Sequence, residues 1–199
     1  MLSARRTAST LTTIIVLSTL AACGIAEADP GPVLDTGPPG SEISDEVEAA
    51  LGPEVTVRVD ITGAVTVKGV TTATAPSGGL HSLKTCAEYA KGTAAKQYLA
   101  PGELDGPTGD HSVSLEVRIA DYAGPGTYPK DQLVATDARP FIAIDSSIYS
   151  VWSDSTMSEA TTDGKGGGSW TFTAVANRRE GSRPDDTISG LVSWTCRKR

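Results

Sequence analysis

The chain is poor in the residue types that most often carry out chemistry in proteins. Aromatic residues make up 5% of its 199 residues, and it contains two histidines and three cysteines. His81 and His111 are far apart in the sequence and match no common zinc-ligand spacing, so we predict neither a metal site nor a cofactor. No Cys-x-x-Cys pair is present, which argues against a dithiol redox motif. A nucleic-acid partner is also not expected, because 17 Lys and Arg face 24 Asp and Glu, for a net charge of −7.

The common catalytic motifs of hydrolases are missing as well. The chain contains no Gly-x-Ser-x-Gly, Ser-x-x-Lys or His-Glu-x-x-His. The glycine-rich run 163–169 lacks the Gly-Lys-Ser/Thr ending of a phosphate-binding loop and is interpreted as a flexible connection. Carboxylates cluster in two places without the regular spacing of a calcium loop, namely Asp185-Asp186 and Glu103, Asp105 and Asp110. We therefore expect a protein that is not an enzyme; a dispersed catalytic triad and a calcium site stay open as alternatives.

The N-terminal segment, residues 1–22, has the features of a signal peptide. A positive pair, Arg5-Arg6, precedes the apolar stretch from Leu11 to Ala22. As a helix this stretch is about 18 Å long, too short to cross a hydrocarbon core of about 30 Å. Residues 1–22 are therefore expected to be removed, and the mature chain is expected to have no membrane span.

The end of this segment resembles the bacterial lipobox, in which small residues precede a cysteine that is acylated and becomes the new N-terminus. The resemblance implies that Leu20, Ala21 and Ala22 are recognised for cleavage and that Cys23 carries the lipid. An ordinary secretory signal that contains a cysteine is the alternative. With lipidation, the protein is expected on the outer face of the cytoplasmic membrane, in the cell envelope, held by its acyl chains.

Residues 23–53 are interpreted as a lipidated N-terminus followed by a linker. The stretch from Gly24 to Pro53 contains five prolines and seven carboxylates, and no Lys or Arg occurs between Arg6 and Arg58. Such a composition buries too little apolar surface to offset chain entropy, so we expect disorder here. A spacer that holds the domain away from the membrane and mere tolerated disorder are equally compatible with it.

Residues 54–199 show the alternation of apolar and polar residues that is typical of β-strands. The clearest strands are 55–61, with its continuation through Val65 and Val67 after a turn at Thr62-Gly63, and 113–119. Further strands are predicted at 132–136, 141–145, 148–152, 170–174 and 188–196. Seven or eight short strands separated by Gly and Pro turns predict a mainly β domain, an antiparallel sandwich or a partly open barrel.

A single short helix and one disulfide complete the predicted domain. Leu83, Cys86, Ala87 and Ala90 recur at helical spacing, with Ser82 as the N-cap and Gly92 closing the end. If Cys23 carries lipid, Cys86 and Cys196 are the two remaining thiols, and each lies on an apolar face of its element. We predict that they form a disulfide, as is common in exported proteins; a redox or nucleophilic role is the alternative.

Two surface features suggest contacts with partners. Tyr122 and Tyr128 bracket a Gly-Pro-Gly turn, where they either form a recognition surface or pack down onto the edge of the sheet. Basic residues concentrate near the C-terminal hairpin and are either a solvated tip or a patch for anionic lipid or polymer. They are Arg178, Arg179, Arg183, Arg197, Lys198 and Arg199.

With these pieces in place, the chain resembles small secreted lipoproteins of actinobacteria. Its layout is similar to that of mycobacterial lipoprotein antigens with an internal cysteine and one near the C-terminus of a β-rich domain. The likeness rests on the Cys23 lipobox, the acidic linker, and the segments 86–90, 122–128 and 188–196. It implies a surface lipoprotein without known catalysis. We expect a monomeric binding or display domain that meets an envelope protein or polymer; a carrier of an apolar ligand between its sheets and an envelope hydrolase are the alternatives.

Overall fold

The computed structural model describes residues 52–79, 81–135, 139–151, 156–179, 183 and 185–197. All of these belong to one unit, Glu42–Arg199. The predicted signal peptide, Leu20, Ala21, Ala22, Cys23 and the linker before Gly52 lie outside the described residues. The elements are β1 Glu54–Gly63, β2 Val67–Thr74, α1 Cys86–Tyr89, β3 Tyr98–Leu99, β4 Val113–Glu116, β5 Arg118–Ile119, β6 Gly126–Pro129, β7 Leu133–Val134, β8 Phe141–Ile144, β9 Ser147–Ser150, β10 Met157–Thr162, β11 Gly168–Asn177 and β12 Thr187–Arg197.

The strands form two antiparallel sheets. The larger one is curled and has the order β2-β1-β12-β11-β9-β8-β4, with β10 added beside β11 and β6 beside β10. The smaller one has the order β3-β5-β7. The mainly β, antiparallel and disulfide-linked class predicted from the sequence is confirmed, with twelve strands in the described residues rather than seven or eight.

The longest pairing of the larger sheet joins β1 and β12, whose ten paired positions run from Glu54 opposite Arg197 to Gly63 opposite Ile188. On β1 the alternate residues Val55, Val57, Val59 and Ile61 are almost completely buried, as the alternation predicts. β-Branched side chains suit such a half-buried pleated surface. This face of β1 is the floor of the hydrophobic core.

A bulge in β11 lets one strand pair with two neighbours along the same edge. Its first half pairs with β10, from Gly168 to Thr173, and its end pairs with β9 at Ala176 and Asn177. Between Phe172 and Val175 the register with β12 shifts, and Ala174 has φ 55°. The Ala174 N–H is donated to Ser189 Oγ at 3.0 Å. A bulge of this kind bends the strand and increases its twist, which gives the sheet its curl.

The run predicted as one strand over 113–119 is divided between the two sheets. β4 pairs with β8 in the larger sheet, and β5 pairs with β3 and β7 in the smaller sheet. Residues 99–102 run beside the break between β4 and β5. Ala100 N–H donates to Val117 O and Leu115 N–H donates to Gly102 O, both at 3.0 Å. A Cβ at Gly102 would lie 2.4 Å from Leu115 O, so only glycine allows this approach.

Other sequence predictions are corrected in their boundaries. The β1–β2 turn lies after Gly63, which still pairs with Ile188. The helix is a single turn capped by Thr85 rather than by Ser82: Thr85 Oγ1 accepts the Glu88 N–H at 3.1 Å, and the Glu88 carboxylate accepts the Lys84 N–H at 2.6 Å. The helix therefore begins after Thr85, three residues later than the apolar spacing predicts, because the Thr85 and Glu88 side chains cap it there.

In the described part of the chain, no helix has the length and apolar character needed to cross a membrane.

Candidate functional site

The disulfide predicted between Cys86 and Cys196 is present, with the two Cα atoms 5.7 Å apart. Cys86 begins α1, and Cys196 lies near the end of β12. The bond therefore attaches the helix to one end of β12 in the larger sheet. Because both sulfurs are used in this bond, neither cysteine is a free thiol in the structure.

The glycine-rich run 163–169, expected as a flexible connection, folds into a turn that packs on the disulfide. Asp163 Oδ1 accepts the backbone N–H groups of Lys165 at 2.7 Å and Gly167 at 2.8 Å. Gly166 has φ 90°, and a Cβ there would lie 2.9 Å from Cys196 Cβ. The side chain of one aspartate thus organises the turn, and the absence of a side chain at Gly166 lets it approach the disulfide.

Tyrosine rings form a continuous buried cluster beside the disulfide. The ring centroids of Tyr89 and Tyr98 are 5.0 Å apart, those of Tyr98 and Tyr122 are 5.0 Å apart, and those of Tyr122 and Tyr128 are 5.7 Å apart. Trp194 stacks on Tyr98 at 6.3 Å. Tyr122 and Tyr128 are each 7% exposed, so they pack inward and do not form the exposed recognition surface that was one of the two expectations.

The hydroxyl groups of this tyrosine cluster are satisfied inside the protein. Trp194 Nε1–H donates to Tyr98 Oη at 3.1 Å, and Tyr89 Oη–H donates to Leu99 O at 2.7 Å. Tyr122 Oη–H donates to Ala90 O at 3.0 Å. Burial raises the pKa of Tyr98 to about 12, although its hydrogen bonds with Tyr89 and Trp194 oppose the increase. Burial raises the pKa of Tyr89 as well.

The raised tyrosine pKa values predict a loss of stability in strong alkali. Tyr98 ionises in the unfolded chain near its ordinary pKa of about 10 and in the folded protein near 12. The free energy of unfolding should be unaffected by this group below pH 10 and should fall as the pH rises from about 10 to about 12. Denaturant unfolding over this range tests the prediction, with Tyr98→Phe, whose decline should be smaller, as the control. Ionisation of every tyrosine near pH 10 with unchanged circular dichroism would contradict it.

The two histidines do not come together. His81 is exposed, whereas His111 Nδ1 lies 2.8 Å from Asp145 Oδ2. Asp145 Oδ1 also accepts the Ser112 N–H at 3.0 Å, and the contact with His111 and this N–H hold the pKa of Asp145 below its usual value. Within the described ranges no serine or threonine hydroxyl is hydrogen-bonded to His111. The pair is therefore best described as a link between the start of β4 and the β8–β9 turn.

The carboxylate clusters identified in the sequence make hydrogen bonds to neighbouring polar side chains. Asp186 accepts a hydrogen bond from Asn177 Nδ2 at 2.9 Å, and Asp105 accepts one from Thr72 Oγ1 at 2.8 Å. Among the residues that the structure describes, no group of three or more His, Cys, Asp or Glu is arranged to hold a metal ion. The described basic residues of the C-terminal cluster are exposed: Arg178, Arg179, Arg183 and Arg197. Lys198 and Arg199 lie outside the described residues.

A groove opens where the chain turns from the larger sheet to the smaller one, and we call it the corner groove. It has a volume of about 470 Å³ and is bounded by the segments 74–77, 82–83, 99–103 and 115–118 together with Asp105. This volume is typical of sites for small molecules. Its floor is apolar: Leu83 and Leu99 are partly exposed there, and Leu115, Val117 and Ala100, which also line it, are 4%, 3% and 8% exposed. The floor exists because the strand breaks between β4 and β5 and its two halves diverge.

The rim of the corner groove is acidic. Glu103 and Asp105 are exposed there, and within the described residues neither has a Lys, Arg or His nitrogen within 4.0 Å. Glu116 Oε1 lies 3.0 Å from Arg118 Nη2, so the one cationic side chain in the lining is already paired with a carboxylate. The groove therefore combines an apolar floor with two carboxylates that face solvent.

The residues of this site fall into separate patterns in the sequence. Glu103 and Asp105 belong to a carboxylate cluster, Leu83 to the predicted helix, and Leu115 and Val117 to one predicted strand face. The signal that could have joined them is Gly102, a glycine directly before Glu103 that permits the backbone to fold against Leu115. No family model, curated protein or solved structure matches this chain. The site must therefore be interpreted from its own geometry.

Proposed function

We propose that this protein is a non-enzymatic lipoprotein of the cell envelope, acylated at Cys23, whose β domain binds a ligand at the outer face of the cytoplasmic membrane. Two features support export. The sequence before Cys23 has the lipobox pattern, and the Cys86–Cys196 bond is of a kind that persists in oxidising compartments. The acyl chains would supply contact with the membrane, and the domain would meet an envelope partner.

The corner groove is the observation that carries the binding function. It is a preformed concave surface with an apolar floor and charged rim, the combination by which proteins usually hold small ligands. The space between the sheets is occupied by large buried side chains such as Trp170, Phe172 and Tyr98. This filling favours the groove, rather than the interior, as the place where a ligand binds.

Acylation tests the proposed anchor. Cells that express the full-length chain should incorporate labelled fatty acid into it, and Cys23→Ser should abolish the incorporation and release the protein from the membrane fraction. Ser18→Ala, a substitution in the same signal segment that leaves Leu20–Cys23 intact, is the matched control and should be labelled as the original chain is. Labelling of Cys23→Ser would show that the lipobox interpretation is wrong.

Binding is tested separately by nuclear magnetic resonance. A soluble envelope extract added to the mature chain carrying Cys23→Ser should shift the backbone resonances of Ala100, Gly102 and Glu103 more than those of β10. Shifts confined to residues far from the groove would contradict the proposed binding surface.

A further inference from the structure

The corner groove has a lining that also indicates the chemical class of its ligand. Four charged side chains border it, three carboxylates and one guanidinium, so the lining carries a formal charge of −2: Glu103, Asp105, Glu116 and Arg118. The guanidinium lies 3.0 Å from one of the carboxylates. Once the Glu116–Arg118 pair is set aside, the remaining charge that faces a ligand is negative and is located on Glu103 and Asp105.

Glu103 and Asp105 are placed to meet a ligand from the same side. They flank Leu104, and the backbone around them is fixed on both sides: Glu103 forms an isolated bridge with Ser114 of β4, and Asp105 N–H donates to Thr72 O at 2.8 Å. Asp105 Oδ2 also accepts the Thr72 hydroxyl at 2.8 Å. The segment thus closes over the edge of β2 and holds two carboxylates at the mouth of the groove.

The floor distinguishes an organic cation from a metal ion. Leu83, Leu99, Leu115 and Val117 supply hydrocarbon where a metal site would need further oxygen or nitrogen ligands. The described residues also contain no group of three metal-binding side chains. An apolar stem on the ligand would bury against this floor, which is favourable because apolar surface is removed from water.

We propose that the corner groove binds a small organic cation, an ammonium or guanidinium group on a short apolar stem, with Glu103 and Asp105 contacting the charge and the partly exposed Leu83 and Leu99 contacting the stem. This proposal rests on the proposed binding function and specifies its ligand class. Ion pairs at exposed carboxylates are weak, so Glu103 and Asp105 together should raise affinity only about three- to tenfold over an uncharged ligand of the same shape.

Three probes of matched length test this proposal: n-hexylamine, n-hexanol and n-hexanoate. Each is titrated into the mature chain carrying Cys23→Ser, and backbone resonances are followed. Hexylammonium should bind about three- to tenfold more tightly than hexanol, hexanoate should bind most weakly, and the shifts should be largest at residues 99–103 and 115–118. The preference for hexylammonium should shrink in high salt, because the rim is exposed to solvent.

Paired variants identify the residues responsible. Glu103→Gln with Asp105→Asn should lower hexylammonium affinity about three- to tenfold and leave hexanol affinity unchanged. The control Asp110→Asn with Asp131→Asn makes the same change in net charge at exposed positions outside the groove and should leave both affinities unchanged. Equal binding of hexylammonium and hexanol, an unaffected double variant, or shifts that map elsewhere would each overturn the proposal.

The outcomes separate this proposal from the binding function on which it rests. If envelope extract shifts the groove resonances and hexylammonium does not, the groove binds another class of ligand and only the organic-cation proposal fails. If neither the extract nor any of the three probes shifts those resonances, the groove is not a binding surface and both proposals fail.

Discussion

Replacing Cys86 and Cys196 together with serine is expected to lower the free energy of unfolding by about 2–5 kcal/mol. The bond joins residues 110 positions apart in the sequence. Closing so long a loop restricts the unfolded chain strongly, and the chain-entropy model gives about 4.7 kcal/mol for a loop of about 100 residues. Since a domain of this size is stable by only about 5–15 kcal/mol, the loss is a large fraction of the total.

The location of the disulfide adds a contribution from the folded state. α1 is a single turn of four residues, too short to be stable alone, and Cys86 attaches it to β12. The turn around Gly166 packs directly on Cys196. Removal of the bond therefore loosens the helix and the turn in the folded state and also releases a constraint on the unfolded chain. Residues 82–83, which lie just before α1 and form one wall of the groove, should lose order together with the helix.

Denaturant unfolding of the mature chain measures this effect. The double serine variant should show the reduced stability with or without dithiothreitol, whereas the original chain should lose a similar amount only after reduction. Thr195→Ser, an exposed substitution next to Cys196 on β12, is the matched control and should stay within about 0.5 kcal/mol of the original. A double serine variant that loses less than about 1 kcal/mol would contradict the prediction.

The disulfide also shows how much of the fold could be predicted from sequence. Cys86 and Cys196 were paired because both lie on apolar faces and no other thiol is expected in the mature chain, and the structure confirms the pair. β1 and β12 were found for a similar reason, since Val55, Val57, Val59 and Ile61 alternate strictly with polar residues. In β1 and β12 the local alternation and the long-range pairing agree over ten paired positions.

Strands without that signal were missed. β10 turns Ser158, Ala160 and Thr162 inward, so its buried face is small and polar and its alternation is hidden. Thr162 Oγ1–H donates to Gly124 O at 3.2 Å, a contact that can be known only from the fold. The sequence predicts a sharp turn from Gly124, Pro125 and Gly126, whereas the pairing with β10 makes Gly126–Pro129 a strand.

The corner groove was beyond sequence reasoning for a related reason. Its floor comes from one apolar run, 113–119, that local pattern treats as a single strand. Val117 lies at the break, and its carbonyl accepts the backbone N–H of Ala100, a residue distant in sequence. The alternation of apolar and polar residues does not indicate that β4 joins the larger sheet and β5 the smaller one. The position of the groove is therefore determined by long-range strand pairing.

Trp170→Ala is expected to destabilise the domain by about 3–5 kcal/mol. Trp170 lies on β11, is fully buried and packs on Phe172 with ring centroids 4.4 Å apart. Its truncation removes a large apolar side chain from the core and leaves a cavity whose walls belong to sheet strands that cannot collapse freely. Differential scanning calorimetry and denaturant unfolding followed by circular dichroism measure the loss, and Thr171→Ala, exposed on the same strand, should change stability by no more than about 0.5 kcal/mol.

Trp170→Phe separates packing from hydrogen bonding at the same position. Trp170 Nε1–H donates to Ser158 Oγ of β10 at 2.9 Å, and Ser158 is buried. Phenylalanine retains much of the ring contact but leaves the serine hydroxyl without its donor, which costs about 1–3 kcal/mol. Combining Trp170→Phe with Ser158→Ala removes both polar partners and should recover part of that loss. If the double variant is no more stable than Trp170→Phe alone, the cost arises from lost packing and the hydrogen bond does not specify the position of β10.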